Sequence, residues 1–348
     1  MAEPVGAHLV GSMPVSSAEE AFRTVSAALG AYLRRLPDGE PGLRARYVGY
    51  QRSVFEEHPL LESGAADPAG WPNAIMRPKP GVKPEDITFG KLGYADAAVE
   101  SFHEFERLQQ EGVIPAHARF QVCLPVPMDA VCGAVFVDEQ LTVAPGYEAA
   151  MRRELAQVLS TIPHERLSIQ WDVCHVVLMW EGCLRADRRF DDLRAQLLAH
   201  LVGMSVAVPS DVEMGYHLCY ADMAHRHFKE PEDAAVLAEI ANGLGREVPR
   251  PIHWLHMPVP IERDDEAYFQ PLSQLSLHPE TYLFLGLVHI RDGVEGARRR
   301  IATAQRVVER FGVATECGMG RRPAERGGTA DGFQELLALH AAVARPVV

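Results

Sequence analysis

The chain has 348 residues, 47% of them hydrophobic and 23% charged, the proportions of a globular protein able to bury a large core. Its formal net charge of −13, with no block of basic residues, has the wrong sign for a phosphate backbone and argues against nucleic-acid binding. The first residues, MAEPVGAHLVGSMP, lack the charged start and apolar run of a signal peptide, and no run of about 18 apolar residues follows, so a cytoplasmic protein with no membrane partner is expected. There the six cysteines would be reduced thiols, and no C-x-x-C pair is present to form a zinc ribbon or a redox motif.

Short apolar runs alternate with amphipathic stretches along the chain. The runs at 7–13 (AHLVGSM), 31–39 (AYLRRLPDG), 119–126 (RFQVCLPV) and 167–174 (LSIQWDVC) read as strands. So do 212–220 (VEMGYHLCY), 252–259 (IHWLHMPV), 282–290 (YLFLGLVHI) and 312–318 (GVATECG). Helical periodicity occupies 17–33, 146–160, 187–203, 231–244 and 294–310. This alternation predicts parallel strands with helical crossovers, and eight such units in one chain favour a single-domain α/β (β/α)8 TIM barrel over an open sheet. Residues 41–118 are rich in Pro and Gly, with little periodic pattern before about residue 94. They read as an insertion after the second strand that folds over the barrel mouth as a cap or lid.

In such barrels the C-terminal strand ends carry the chemistry. Those ends hold Ser12, Asp38 with Glu40, Asp172, His217 with Cys219, His256, His289 and Cys317. His217 and Cys219 stand two apart, so a strand projects both to one side. For an isolated H-x-C, two satisfied core side chains are the commoner outcome. Here three elements would put His217, Cys219, His256 and Cys317 at one mouth. They are nitrogen and sulfur donors of the kind zinc prefers, in the number that fills a tetrahedral shell.

These runs, carried by VGSMP at 10–14, DGEPGLR at 38–44, IQWDV at 169–173, HLCY at 217–220, GLVHIRDGVEG at 286–296 and ECGMGRR at 316–322, resemble the catalytic barrel of the cobalamin-independent methionine synthases. They are similar also to the related zinc-dependent alkyltransferases acting on thiols. The resemblance implies zinc held by His217, Cys219 and Cys317, with His256 where the family has a glutamate and Glu262 as the nearest acid. It implies that Ser12 receives a substrate carboxylate and that Glu40 and Asp172 receive an ammonium group; read as ordinary residues, these are a helix cap and loop acids. His289 and Arg291 occupy the places of an acid and a histidine used in proton transfer, and are the expected catalytic residues. A guanidinium stays protonated, so Arg291 could bind an anion but not relay a proton.

The run CLPVPMDAV at 123–131 lacks the family's tryptophan for stacking a pteridine, and the family's duplicated N-terminal barrel has no counterpart in the chain. The expected partners are therefore a small, homocysteine-like thiol and a small-molecule or corrinoid alkyl donor other than folate. The implied activity is a zinc-dependent methyl- or alkyltransferase acting on a thiol. Its rivals are thiol addition to an epoxide on the same zinc, and a metal-free barrel of the uroporphyrinogen decarboxylase type with a binding role.

Overall fold

A computed structural model describes residues 3–65, 71, 74–185, 190–221, 227–324 and 327–348. In chain order the first half contains β1 (Ala7–His8), α1 (Ala18–Leu29), β2 (Arg35–Pro37), α2 (Arg52–Glu56), β3 (Leu61–Ser63), β4 (Met76–Pro78), α3 (Tyr94–Gln110), β5 (Arg119–Pro125), α4 (Pro127–Ala134) and α5 (Gln140–Thr161). The second half contains β6 (Leu167–Val173), α6 (His175–Trp180), α7 (Leu193–Val206), β7 (Glu213–Leu218), α8 (Ala235–Glu247), β8 (Trp254–Pro258), α9 (Glu266–Phe269), β9 (Tyr282–Gly286), α10 (Gly293–Ala304), β10 (Phe311–Ala314) and α11 (Ala330–Val343). Among the described residues no helix is long and apolar enough to cross a membrane.

Eight strands form one parallel sheet in the order β1-β10-β9-β8-β7-β6-β5-β2. The two outer members nearly close it. The Ala7 N–H donates to Tyr32 O at 2.9 Å and the Met13 N–H to Gly39 O at 2.9 Å, which brings the β1 and β2 segments side by side. The result is the (β/α)8 barrel expected from the alternation, with each of the eight expected runs contributing a strand. Most strands are shorter than their apolar runs because the ends leave the ladder to build the mouth. Register sets the level of the functional side chains: Pro125 pairs with Asp172, Asp172 with His217, and His217 with His256.

The helices form where cap and periodicity agree. Ser17 caps α1 by accepting from the Glu20 N–H, and Ala21, Phe22, Val25 and Leu29 turn one face inward. Residues 41–118 divide into two parts. α3 packs between α1 and α5 as the ring helix that follows β2, its buried face running Tyr94, Ala98, Ser101, Phe102, Phe105 and Leu108. Its first amides are held by the buried Glu154 of α5, which accepts from Leu92 N and Ala95 N at 2.7 Å each. The excursion proper is 41–93. It contains 3-10 turns, α2 and the antiparallel β3–β4 hairpin, and it is pinned to α5 by a Tyr147 hydroxyl donating to Gln51 (3.0 Å) and by Phe55 stacked on Tyr147.

The barrel interior is partly polar. The Gln170 amide nitrogen donates to Asp172 Oδ1 at 2.8 Å and to Val10 O at 2.5 Å, while its oxygen meets His8 Nε2 at 2.8 Å. Buried polar groups demand such partners. This network ties the tail of β1 to the end of β6 and fixes the direction of Asp172.

Candidate metal and substrate site

Three side chains converge at the C-terminal mouth. His217 is the last residue of β7 paired with β8, Cys219 follows β7 directly, and Cys317 lies on the turn after β10. All three are buried, and their donor atoms lie within 4.8 Å of one another. The two sulfurs are 3.7 Å apart, and Cys317 Sγ is 3.7 Å from His217 Nε2. Bonds of about 2.3 Å to sulfur and about 2.0 Å to nitrogen at a tetrahedral angle would place two sulfurs about 3.8 Å apart and a sulfur and a nitrogen about 3.5 Å apart. The trio fits zinc. Burial, His256, His8 and Arg321 hold His217 well below the usual imidazole range, which leaves it neutral and able to coordinate.

His256 stands behind His217 and is not one of the trio. Its Nδ1 is 2.7 Å from His217 Nδ1 and its Nε2 is 3.0 Å from Thr315 O. Glu262 is exposed and paired with Arg291 at the surface.

The trio opens on a cavity of about 360 Å³ whose wall includes Ser12, Glu40, Asp172 and Arg321. Ser12 is tied to the same turn as Cys317, its carbonyl accepting from Met319 N at 2.7 Å and Gly320 N at 3.0 Å. Gly318 permits this approach, because a Cβ there would lie 2.3 Å from Ser12 Oγ. Glu40 takes a left-handed backbone (φ 50), and its N–H donates to Asp38 at 2.9 Å. Asp38 itself is spent on Arg44 and Ser101, so Glu40 is the acid left to face the cavity. Burial pushes Glu40 up to about 7 against the pull of Arg44. Burial first, and the charge of Glu40 second, push Asp172 well above the carboxylate range. Arg321, whose charge acts on both acids, donates to Ala45 O (3.1 Å) and approaches Cys317 Sγ and Ser12 Oγ, each at 3.5 Å. Two acids, a guanidinium and a hydroxyl lining one cavity suit a zwitterion.

The excursion supplies the outer wall through Arg46, Tyr47, Val48, Gly49 and Trp71. Tyr47 holds a strained backbone (φ 56, ψ −131), and its hydroxyl donates to Asp129 at 2.7 Å. Asp129 also accepts from Cys174 N at 2.5 Å and Val176 N at 3.1 Å, so it caps α6. The donor atoms of Asp129, Cys174 and His175 also lie within 4.8 Å of one another, but the carboxylate is already used. His175 lines the cavity edge-on to Trp71 (ring centroids 4.4 Å apart), with no hydrogen-bond partner for either ring nitrogen among the described residues.

Tyr47, Asp129, His175 and Arg321 were not singled out by the sequence pattern. His175 stands three residues after the strand-end acid Asp172 and Arg321 lies within ECGMGRR, so position alone could have flagged those two. His289 and Arg291 lie outside the cavity wall. His289 is buried, its Nε2 2.9 Å from Val259 O and its Nδ1 3.4 Å from Glu316, and burial pulls it down to about 4. Arg291 is exposed in its pair with Glu262.

Two solved structures share this fold. A B12-independent methionine synthase from Shewanella sp. W3-18-1, in complex with selenomethionine, matches with a TM-score of 0.61 at 12% identity, over 98% of this chain and 96% of that one. A Listeria monocytogenes protein provisionally described as a vitamin-B12-independent methionine synthase matches with a TM-score of 0.52 at 12% identity, over 98% of each chain. At this identity the likeness establishes the fold alone, and the chemistry rests on the residues. No protein-family model and no curated protein matches the sequence.

Proposed function

We propose that this chain is a zinc-dependent transferase that alkylates, and in its main reaction methylates, a small thiol carrying an α-amino acid head. The observation that carries the reading is the His217–Cys219–Cys317 trio, spaced for zinc, at the floor of a cavity walled by Glu40, Asp172, Ser12 and Arg321. The solved structure holding selenomethionine, the selenoether analogue of methionine, on the same fold supports it.

Three protein donors leave one position of a tetrahedral shell for an incoming ligand, the pattern of catalytic rather than structural zinc. Zinc bound there would lower the pKa of a coordinating thiol from about 8.5, so that its sulfur is nucleophilic near neutral pH. Glu40 and Asp172 bind the substrate ammonium, and Ser12 with Arg321 binds its carboxylate, so the sulfur is aimed at the trio. In the transfer a sulfur–carbon bond forms as the donor's carbon–leaving-group bond breaks, and the leaving group departs with the electron pair. The excursion, with Tyr47 and Trp71, acts as the cap that excludes water from this step.

Metal analysis tests the reading. Wild type should carry one zinc per chain, and Cys219→Ser and Cys317→Ser should each lose most of it. Full occupancy in both variants removes the proposal. A panel of thiols assayed with methyltetrahydrofolate, methylcobalamin and simple methyl donors then identifies the donor. Efficient transfer from the folate would return the chain to the ordinary methionine synthase reaction.

A further inference from the structure

We propose that His256 is a positioning residue: it selects the His217 tautomer that presents Nε2 to the metal, and it takes no place in the metal's own shell. This rests on the zinc reading above.

The argument is one of protons. Thr315 O is a carbonyl and can only accept, so His256 Nε2, 3.0 Å away, carries a hydrogen. A neutral imidazole has one N–H, which leaves a lone pair on His256 Nδ1. That lone pair faces His217 Nδ1 at 2.7 Å in a fully buried setting. Two lone pairs at that distance would repel, so His217 Nδ1 carries the hydrogen and donates. The single proton of His217 is then spent. Its Nε2 is left with a lone pair, and Nε2 is the atom that lies 3.7 Å from Cys317 Sγ. The opposite assignment sets a His256 lone pair against a carbonyl oxygen and puts a hydrogen on the nitrogen that must bind metal.

The fold holds this relay at both ends. His217 and His256 are directly paired in the β7–β8 register, which sets the two rings at one level. Thr315 lies two residues before Cys317, and its hydroxyl donates to Cys317 O at 2.7 Å. One short turn therefore supplies both the carbonyl that anchors the relay and a thiol of the trio. Were His256 to turn its Nδ1 lone pair to a metal, the buried His217 N–H would lose its acceptor, which a buried donor does not tolerate. Partners of this kind, which fix the ring of a coordinating histidine, recur around metal sites.

The test compares His256→Ala and His256→Gln in the full chain. A glutamine can accept from His217 through its oxygen and donate to Thr315 through its nitrogen, but its amide is a poor zinc ligand. Zinc affinity is read by competition with a chromophoric chelator. His256→Ala should weaken it about 10- to 100-fold, the usual loss on removing an outer-shell partner, and His256→Gln should stay within a few-fold of wild type. As a second readout, proton–nitrogen correlation of the wild-type histidine rings should show His256 as the Nε2–H tautomer, with Nδ1 unmetallated before and after zinc loading. Loss of zinc in His256→Gln equal to that in His256→Ala overturns the proposal. So does a metal-shifted His256 Nδ1. A wild type that takes up no zinc overturns the zinc reading instead, and the zinc-free spectrum still decides the tautomers.

Discussion

Glu40 is where this protein should sense pH. Its carboxyl is pushed up to about 7 by burial, opposed by Arg44 and reinforced by Asp38. Only the ionised form can pair with a substrate ammonium, so affinity scales with the ionised fraction. That fraction is about nine-tenths at pH 8 and about one-tenth at pH 6, which makes the apparent Kd for methionine roughly tenfold weaker at the lower pH. Asp172 beside it is also raised, by burial first and by the charge of Glu40 second. Methionine is the right probe because it has no thiol, and its own two charges stay fixed across this window. Isothermal titration of the zinc-loaded protein from pH 6 to pH 8 reads the effect. Glu40→Gln should weaken binding at pH 8 and flatten the profile, since the carboxyl that titrates near 7 is gone. The stability of the unliganded protein should run the other way. A carboxyl raised in the fold contributes stability below its unfolded value of 4.5, and that contribution is lost as pH rises through about 7. A flat wild-type affinity between pH 6 and pH 8, or an equal slope in Glu40→Gln, would refute the assignment of Glu40 to an ammonium.

Arg291→Ala removes an exposed ion pair with Glu262, so zinc content and methionine Kd should not change and stability should move by no more than about 1 kcal/mol; a marked loss of methionine affinity would return Arg291 to the site. Gly318→Ala places a methyl 2.3 Å from Ser12 Oγ, and this overpacking should cost about 1–3 kcal/mol in denaturant unfolding while also displacing Cys317 and weakening zinc. Unchanged zinc affinity in that variant would mean the turn can yield without carrying Cys317 along.

The sequence by itself determined the barrel and the placing of His217 and Cys219 on one side of a strand. Strand–helix alternation is a local pattern, and each of its eight apolar runs became a strand of one parallel sheet. The spacing of His217 and Cys219 is also local, since residues two apart on a strand share a side wherever that strand lies. α3 was less visible: its buried face relies on Ala98 and Ser101 as well as aromatics, and it follows a Pro- and Gly-rich stretch that hides its start. Only the tertiary structure could decide what His256 does, because the partners of its two nitrogens come from a neighbouring strand and from the turn after the last one. The same holds for Arg321 and His175, whose relation to the cavity depends on where residues 41–93 and the β10 turn come to rest. Local periodicity states which side chains share a face. Which atoms meet across the barrel is set by register and loop packing between residues far apart in the chain.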